Sequence, residues 1–145
     1  MRIAWSGWVL TRLLLDTSVL IDHLRGYPPA TDFLETVFRS QSSAMISTVT
    51  EMELFTGQSI RNEENRHAVG KLLTLFTIIP VNSSIARRAG ILLQNYRHQG
   101  LTPIDAIIAG TAQEHEASLI TRNIKHFRMV ESIVVFNLPT DSSTP

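Results

Sequence analysis

"LLLDTSVLID", residues 13–22, sets the architecture of the chain. Three consecutive leucines leave no polar face, as expected of a strand buried on both sides in a parallel sheet. Asp16 stops the run. Residues 17–25 then carry apolar groups at 19, 20, 21 and 24, the spacing of a short helix, which ends near Gly26. A strand running through a carboxylate into a helix is the opening half of a β-α unit, and the rest of the chain repeats the pattern.

Pro28 and Pro29 mark a break. "TDFLETVFRS" (31–40) then sets Phe33, Leu34, Val37 and Phe38 on one face of an amphipathic helix. "AMIS" (44–47) reads as a second strand. "TEMELFTG" (50–57) reads as a helix opened by a capping-type Thr and closed on Gly57. A helix over 61–76 leads to a third strand, "FTIIPV" (76–81). Asn82 or Ser83 caps a helix over about 84–98 that stops at Gly100. Thr102 as N-cap and Pro103 at the first helical position open "TPIDAIIAGTAQEHE". "ASLIT" (117–121) and "SIVVF" (132–136) supply strands four and five. Alternating strands and helices joined by short links imply an α/β fold with a mostly parallel sheet of four to five strands.

The composition narrows the chemistry. With 145 residues and 43% apolar content, one domain with a real core is expected. There are no cysteines, which excludes disulfides and zinc–thiolate sites and suits a reducing cytoplasm. No apolar run approaches the roughly 18–20 residues of a membrane span. Formal net charge is zero, yet from Gln58 to Arg128 there are nine Lys/Arg against five Asp/Glu. Eleven of the thirteen cationic residues are Arg, which suits bidentate phosphate contacts and equally a GC-rich genome. Residues 1–12, with Trp5 and Trp8, read as an N-terminal extension, 13–138 as the domain, and 139–145 as a polar tail.

In open parallel sheets ligands gather outside the carboxyl ends of the strands. Asp16 follows strand one, Asn123 follows strand four, and Glu51 and Glu53 begin the helix after strand two. Asp105 lies in the first turn of a buried helix. An early helix position favours a carboxylate for its own sake. Asp16, Glu53 and Asp105 together would repel one another, and a hard divalent cation resolves that repulsion. Oxygen-only donors suit Mg²⁺ or Mn²⁺, and such sites perform phosphoryl chemistry. A phosphatase of the haloacid dehalogenase type needs a second Asp where this chain has Ser18, which excludes it.

Four motifs carry a family resemblance: "LLLDTSVLIDHLRG" (13–26), "ISTVTEMELFTG" (46–57), "LTPIDAIIAGTA" (101–112) and "LITRNIKHF" (119–127). Together they resemble the PIN-domain ribonucleases, specifically the VapC-type toxins of bacterial toxin–antitoxin pairs. The resemblance implies a PIN-like three-layer sandwich and a Mg²⁺/Mn²⁺-dependent endoribonuclease. It implies cleavage of tRNA or rRNA to a 5′-phosphate and a 3′-hydroxyl, with arrest of translation. A cognate VapB-like antitoxin and a homodimer are further implications, with the helices over 29–40 and 61–76 as the expected dimer face. Asp16 and Asp105 would bind metal, and Glu53 would bind metal or orient water. Ser18, Thr121 and Asn123 would hydrogen-bond the carboxylates or the phosphate. Asn123 stands where many relatives carry a fourth acid, which lowers the site's charge. Arg122, Lys125 and Arg128 are candidate RNA contacts. His126 is expected to be a surface residue and Glu51 structural. Asp22 is expected to face solvent or pair with Arg25. Two other readings remain: an RNA-binding or interaction module with weak or no catalysis, and a PIN nuclease of RNA maturation.

Overall fold

The computed structural model describes residues 12–40, 43–57 and 61–138; the N-terminal extension up to Thr11, with Trp5 and Trp8, and the tail 139–145 lie outside the described residues. Among the described residues five strands form one sheet: β1 (Arg12–Leu15), β2 (Ser43–Ser47), β3 (Thr77–Ile79), β4 (Ser118–Thr121) and β5 (Val135–Asn137). Their order is β3-β2-β1-β4-β5 and every pairing is parallel. Six α-helices accompany them among the described residues: α1 (Thr17–Leu24), α2 (Pro28–Arg39), α3 (Thr48–Leu54), α4 (Glu63–Leu73), α5 (Ser83–Tyr96) and α6 (Pro103–His115).

The leucine run shows why the layers form. Leu13 and Leu15 point into a core built with Val19 and Leu20 of α1, Phe33, Leu34 and Val37 of α2, and Val69 and Leu72 of α4. Leu14 points the other way, into a core with Ile85, Ala89 and Leu92 of α5 and Ala106, Ile108 and Ala109 of α6. All three leucines are fully buried. Each contributes on the order of 1.5–3 kcal/mol of hydrophobic stabilisation, which fixes β1 at the centre of a three-layer sandwich.

Chain order reverses direction at β1. The chain steps outward from β1 to β2 and β3, then returns to lay β4 on the opposite side of β1. That reversal opens a crevice beyond the carboxyl ends of β1 and β4. The Asp16 amide donates to the Ile120 carbonyl at 2.9 Å, so the last rung of the ladder delivers Asp16 to this crevice.

Three local expectations are corrected. The second helix starts earlier than Thr31: Pro28 and Pro29 lie at the break after α1 and are themselves the first residues of α2, after Tyr27. Proline has no amide hydrogen, and amides in the first turn of a helix have no intrahelical acceptor, so no bond is lost there. The helix after β2 starts earlier, at Thr48, because the Ser47 hydroxyl accepts from the Val49 amide at 3.1 Å; it ends at Leu54, before Gly57. Strand five is shifted to Val135–Asn137. Ser132 stands in a turn, where its hydroxyl meets the Gln113 amide at 2.6 Å, and Leu119 N–H reaches the Val134 carbonyl to set the register. The expected caps Asn82 and Thr102 are both present.

Gly110 lets α6 lie close against α5. A Cβ there would fall 3.2 Å from the Ile85 carbonyl oxygen and 3.3 Å from the Ala89 nitrogen, both backbone atoms of α5. Gly90, helical and exposed, has nothing within 4 Å of such a Cβ. Gly110→Val is therefore expected to cost about 1–3 kcal/mol by forcing the helices apart. Gly90→Ala should instead gain about 0.5–1 kcal/mol from helix propensity. Urea unfolding of the two variants reads both signs; equal stabilities would refute the close-packing account.

Candidate active site

Asp16 directly follows β1, is extended at the N-cap position of α1 and is buried. Two hydroxyls donate to the same carboxylate oxygen: Ser18 Oγ to Asp16 Oδ2 at 2.8 Å, and Thr121 Oγ1 to Oδ2 at 2.8 Å. Each of those hydroxyls also accepts a backbone amide. Asn123 N–H donates to Thr121 Oγ1 at 2.9 Å, and Arg122 N–H donates to Ser18 Oγ at 3.1 Å. With its acceptor side occupied, each hydroxyl has its proton directed at Asp16. Among the described residues nothing donates to Asp16 Oδ1, which keeps access to the crevice.

Glu53 reaches the crevice from α3, and the Thr17 hydroxyl donates to its Oε1. Thr50 Oγ1, itself fully buried, lies 3.0 Å from Thr17 Oγ1. A hydroxyl has one proton. Since Thr17 gives its own to the carboxylate, Thr50 supplies the proton of the second contact. Residue 17, directly after Asp16, thus aims the second acid from the first turn of α1.

Asp105 is the third residue of α6, its amide held by the Thr102 hydroxyl at 3.2 Å. Its side chain is 15% exposed. Burial pushes its carboxyl above the ordinary carboxylate range, the Thr102 hydroxyl opposes that, and the negative charges of Asp16 and Glu53 push it further up. The charges of Asp16 and Glu53, carried on two other elements, thus act on Asp105 after its burial, while His126 opposes them. His126, expected at the surface, is 47% exposed yet places Nδ1 3.5 Å from Asp105 Oδ2. No local signal in the sequence foretells that contact, because it needs the turn after β4 to close over the start of α6.

The candidate RNA contacts divide. Lys125 and Arg128 are exposed, as is the Asn123 side chain. Arg122 is paired within the protein: its NH1 lies 2.6 Å from Asp22 Oδ2, with side-chain exposures of 20% and 21%. The same contact corrects the expectation for Asp22, whose partner is Arg122 and neither Arg25 nor solvent.

The three acids, Asp16, Glu53 and Asp105, present carboxylate oxygens, the donors that Mg²⁺ and Mn²⁺ prefer. Among the described residues no three His, Cys, Asp or Glu side chains stand close enough to enclose an ion. Mg²⁺ commonly keeps several waters and takes one or two protein carboxylates, so an open arrangement of this kind fits it. Among the described residues no helix is long and apolar enough to cross a membrane.

Comparison with known proteins agrees with this geometry. The PIN domain family model matches residues 13–131. A ribonuclease VapC10 of Mycobacterium tuberculosis is 39% identical over 123 residues, covering 83% of this chain and 90% of that one. A tRNA(fMet)-specific endonuclease VapC of Shigella flexneri is 26% identical over 125 residues, with 83% and 93% covered. Among solved structures, a toxin-antitoxin complex from Klebsiella pneumoniae contains a chain 34% identical, with a TM-score of 0.72 and coverage of 87% of this chain and 99% of that one. The chain therefore belongs to the PIN-domain family and, within it, to the VapC ribonucleases of toxin–antitoxin systems.

Proposed function

We propose that this protein is a Mg²⁺- or Mn²⁺-dependent endoribonuclease toxin. It cuts a structured RNA, of the tRNA or rRNA class, by hydrolysis to a 5′-phosphate and a 3′-hydroxyl, and so stops translation. The observation that carries this reading is the convergence of three carboxylates beyond the carboxyl ends of the strands: Asp16 held by Ser18 and Thr121, Glu53 held by Thr17, and Asp105, which burial raises first and the charges of the other two raise further. Three acids in one crevice repel an RNA phosphate, so they are useful to a ribonuclease only with a cation between them and the substrate. Such a cation supplies Lewis-acid activation of water and neutralises the charge that builds on the phosphate.

The residues divide the remaining work. Asp16, held through Oδ2 by Ser18 and Thr121, offers Oδ1 to the ion. Asp105 offers a second carboxylate from α6. Glu53, aimed by Thr17, orients the attacking water and accepts its proton. Lys125 and Arg128, exposed in the segment after β4, attract the RNA backbone. The tRNA-specific name of the Shigella relative supports a structured RNA as substrate. The Klebsiella complex supports a cognate VapB-like antitoxin as partner. We place the protein in the cytoplasm as a homodimer.

The test is cleavage of purified tRNA and rRNA by the full chain. EDTA is expected to abolish cleavage, and excess Mg²⁺ or Mn²⁺ to restore it, with products that carry a 5′-phosphate. Undiminished cleavage in EDTA would overturn the metal reading. Asn123 favours a second reading: an amide where relatives carry a fourth acid lowers the site's negative charge. RNA binding without cleavage at saturating Mn²⁺ would decide for a binding module.

A further inference from the structure

Arg122 ties the segment after β4 to two parts of the chain far from it in sequence, α1 and the entry to α2. Its NH1 pairs with Asp22 Oδ2 on α1 at 2.6 Å. Its guanidinium carbon lies 4.3 Å from the centre of the Tyr27 ring, at the entry to α2. The Tyr27 amide donates to the Asp22 carbonyl at 2.9 Å, so the two residues that hold the guanidinium are themselves tied together. Meanwhile the backbone of Arg122 donates to Ser18 Oγ, and Ser18 donates to Asp16 Oδ2.

A guanidinium paired with one carboxylate and stacked on one ring has little freedom left. Its Nε is buried and finds no acceptor among the described residues, an unfavourable environment that the ion pair and the ring must outweigh. Fixing the side chain fixes the backbone amide of residue 122. That amide occupies the acceptor side of the Ser18 hydroxyl, which leaves the proton of Ser18 pointing at Asp16. Were the segment after β4 to drift, Ser18 would be free to rotate, and Asp16 would lose one of the two bonds that keep Oδ1 turned to the crevice.

We propose that Arg122, Asp22 and Tyr27 form a clamp of positioning residues that sets the Asp16 carboxylate for cation binding through Ser18. The inference rests on the assignment of Asp16 as a cation ligand. It gives Asp22 and Arg122 a role in the reaction that neither a solvated carboxylate nor an RNA-contacting arginine would have.

The experiment titrates Mn²⁺ alone into the metal-free full chain by calorimetry, for wild type, Arg122→Met, Arg122→Lys, Asp22→Asn and Asp16→Asn. RNA cleavage is measured in parallel against Mn²⁺ and against RNA concentration. Arg122→Met is expected to weaken Mn²⁺ binding by about 10–100-fold, the usual effect of removing a group that orients a ligand. The metal concentration for half-maximal cleavage should rise by the same factor, while KM for RNA at saturating Mn²⁺ stays unchanged. Arg122→Lys should fall between, since it keeps the charge without the stacked fork. Asp22→Asn, nearly isosteric, should shift in the same direction as Arg122→Met and substitutes for it should that variant not fold. Wild-type Mn²⁺ affinity in Arg122→Met or Asp22→Asn, even with a lowered Tm, would overturn the clamp and leave a structural brace. A raised KM for RNA with intact Mn²⁺ affinity would overturn it in favour of direct RNA contact. Asp16→Asn separates the two levels: it should bind no Mn²⁺, and wild-type binding there would sink the cation-site reading itself.

Discussion

Asp16→Asn is expected to lose RNA cleavage by more than about 100-fold, beyond what loss of an orienting neighbour costs, while folding as wild type does. The geometry says why. Ser18 and Thr121 both donate to Oδ2, so in the variant the amide oxygen takes that place and keeps both bonds. The amide nitrogen is then forced into the position of Oδ1, with its two protons facing the crevice. A donor stands where a cation needs an acceptor, and one negative charge is gone. The buried hydrogen bonds survive, so Tm and circular dichroism should stay close to wild type. Induced expression of the wild-type protein should arrest growth and that of the variant should not. Cleavage by the variant within a few-fold of wild type would remove Asp16 from the chemistry.

What the sequence makes legible follows from how local each signal is. The leucine run, the Thr102–Pro103 helix start and the strand-end placement of Asp16 are encoded within a few residues, and the structure reproduces them. The family motifs single out Asp16, Glu53 and Asp105; in the structure Asp105 is raised by burial first and then by the charges of the other two. Pairings between distant segments are another matter. Asp22 has Arg25 three residues on, a helical neighbour, and nothing local favours Arg122 over it. The true partner is found only when β4 is laid beside β1, because that pairing brings residue 122 over α1. His126 is obscured for the same reason: its contact is with the start of α6, not with its own segment. The shift of β5 is a register effect, fixed by hydrogen bonds to β4 and a contact with α6 that composition does not carry.

Removing the charge of Asp105 should separate stability from activity in opposite directions. Its carboxyl is raised in the folded protein by burial first, with the like charges of Asp16 and Glu53 adding to the effect. A raised carboxylate disfavours the folded state once ionised. In the unfolded chain Asp105 ionises first, within the ordinary carboxylate range. As pH climbs from there through the raised folded value, the metal-free protein loses stability, and above that value the whole loss is present. Below the ordinary range both states hold the proton and nothing is lost. Asp105→Asn cancels this term and keeps an oxygen for the Thr102 hydroxyl. The metal-free variant should therefore be more stable than wild type at neutral pH, by about 0.5–2 kcal/mol, in line with the trade between stability and function at charged sites. The advantage should vanish as pH falls below the ordinary carboxylate range. Cleavage should drop by more than about 100-fold, since a proposed cation ligand is lost outright rather than merely misoriented. Excess Mn²⁺ should then reverse the order of stability, because a cation that binds only the folded wild type raises its Tm and leaves the variant's unmoved. Thermal unfolding of both proteins, with and without Mn²⁺ and across pH, measures all of this. A variant less stable than wild type in EDTA at pH 7, or one equally stabilised by Mn²⁺, would mean that the charge of Asp105 is satisfied within the protein and is not held in reserve for a cation.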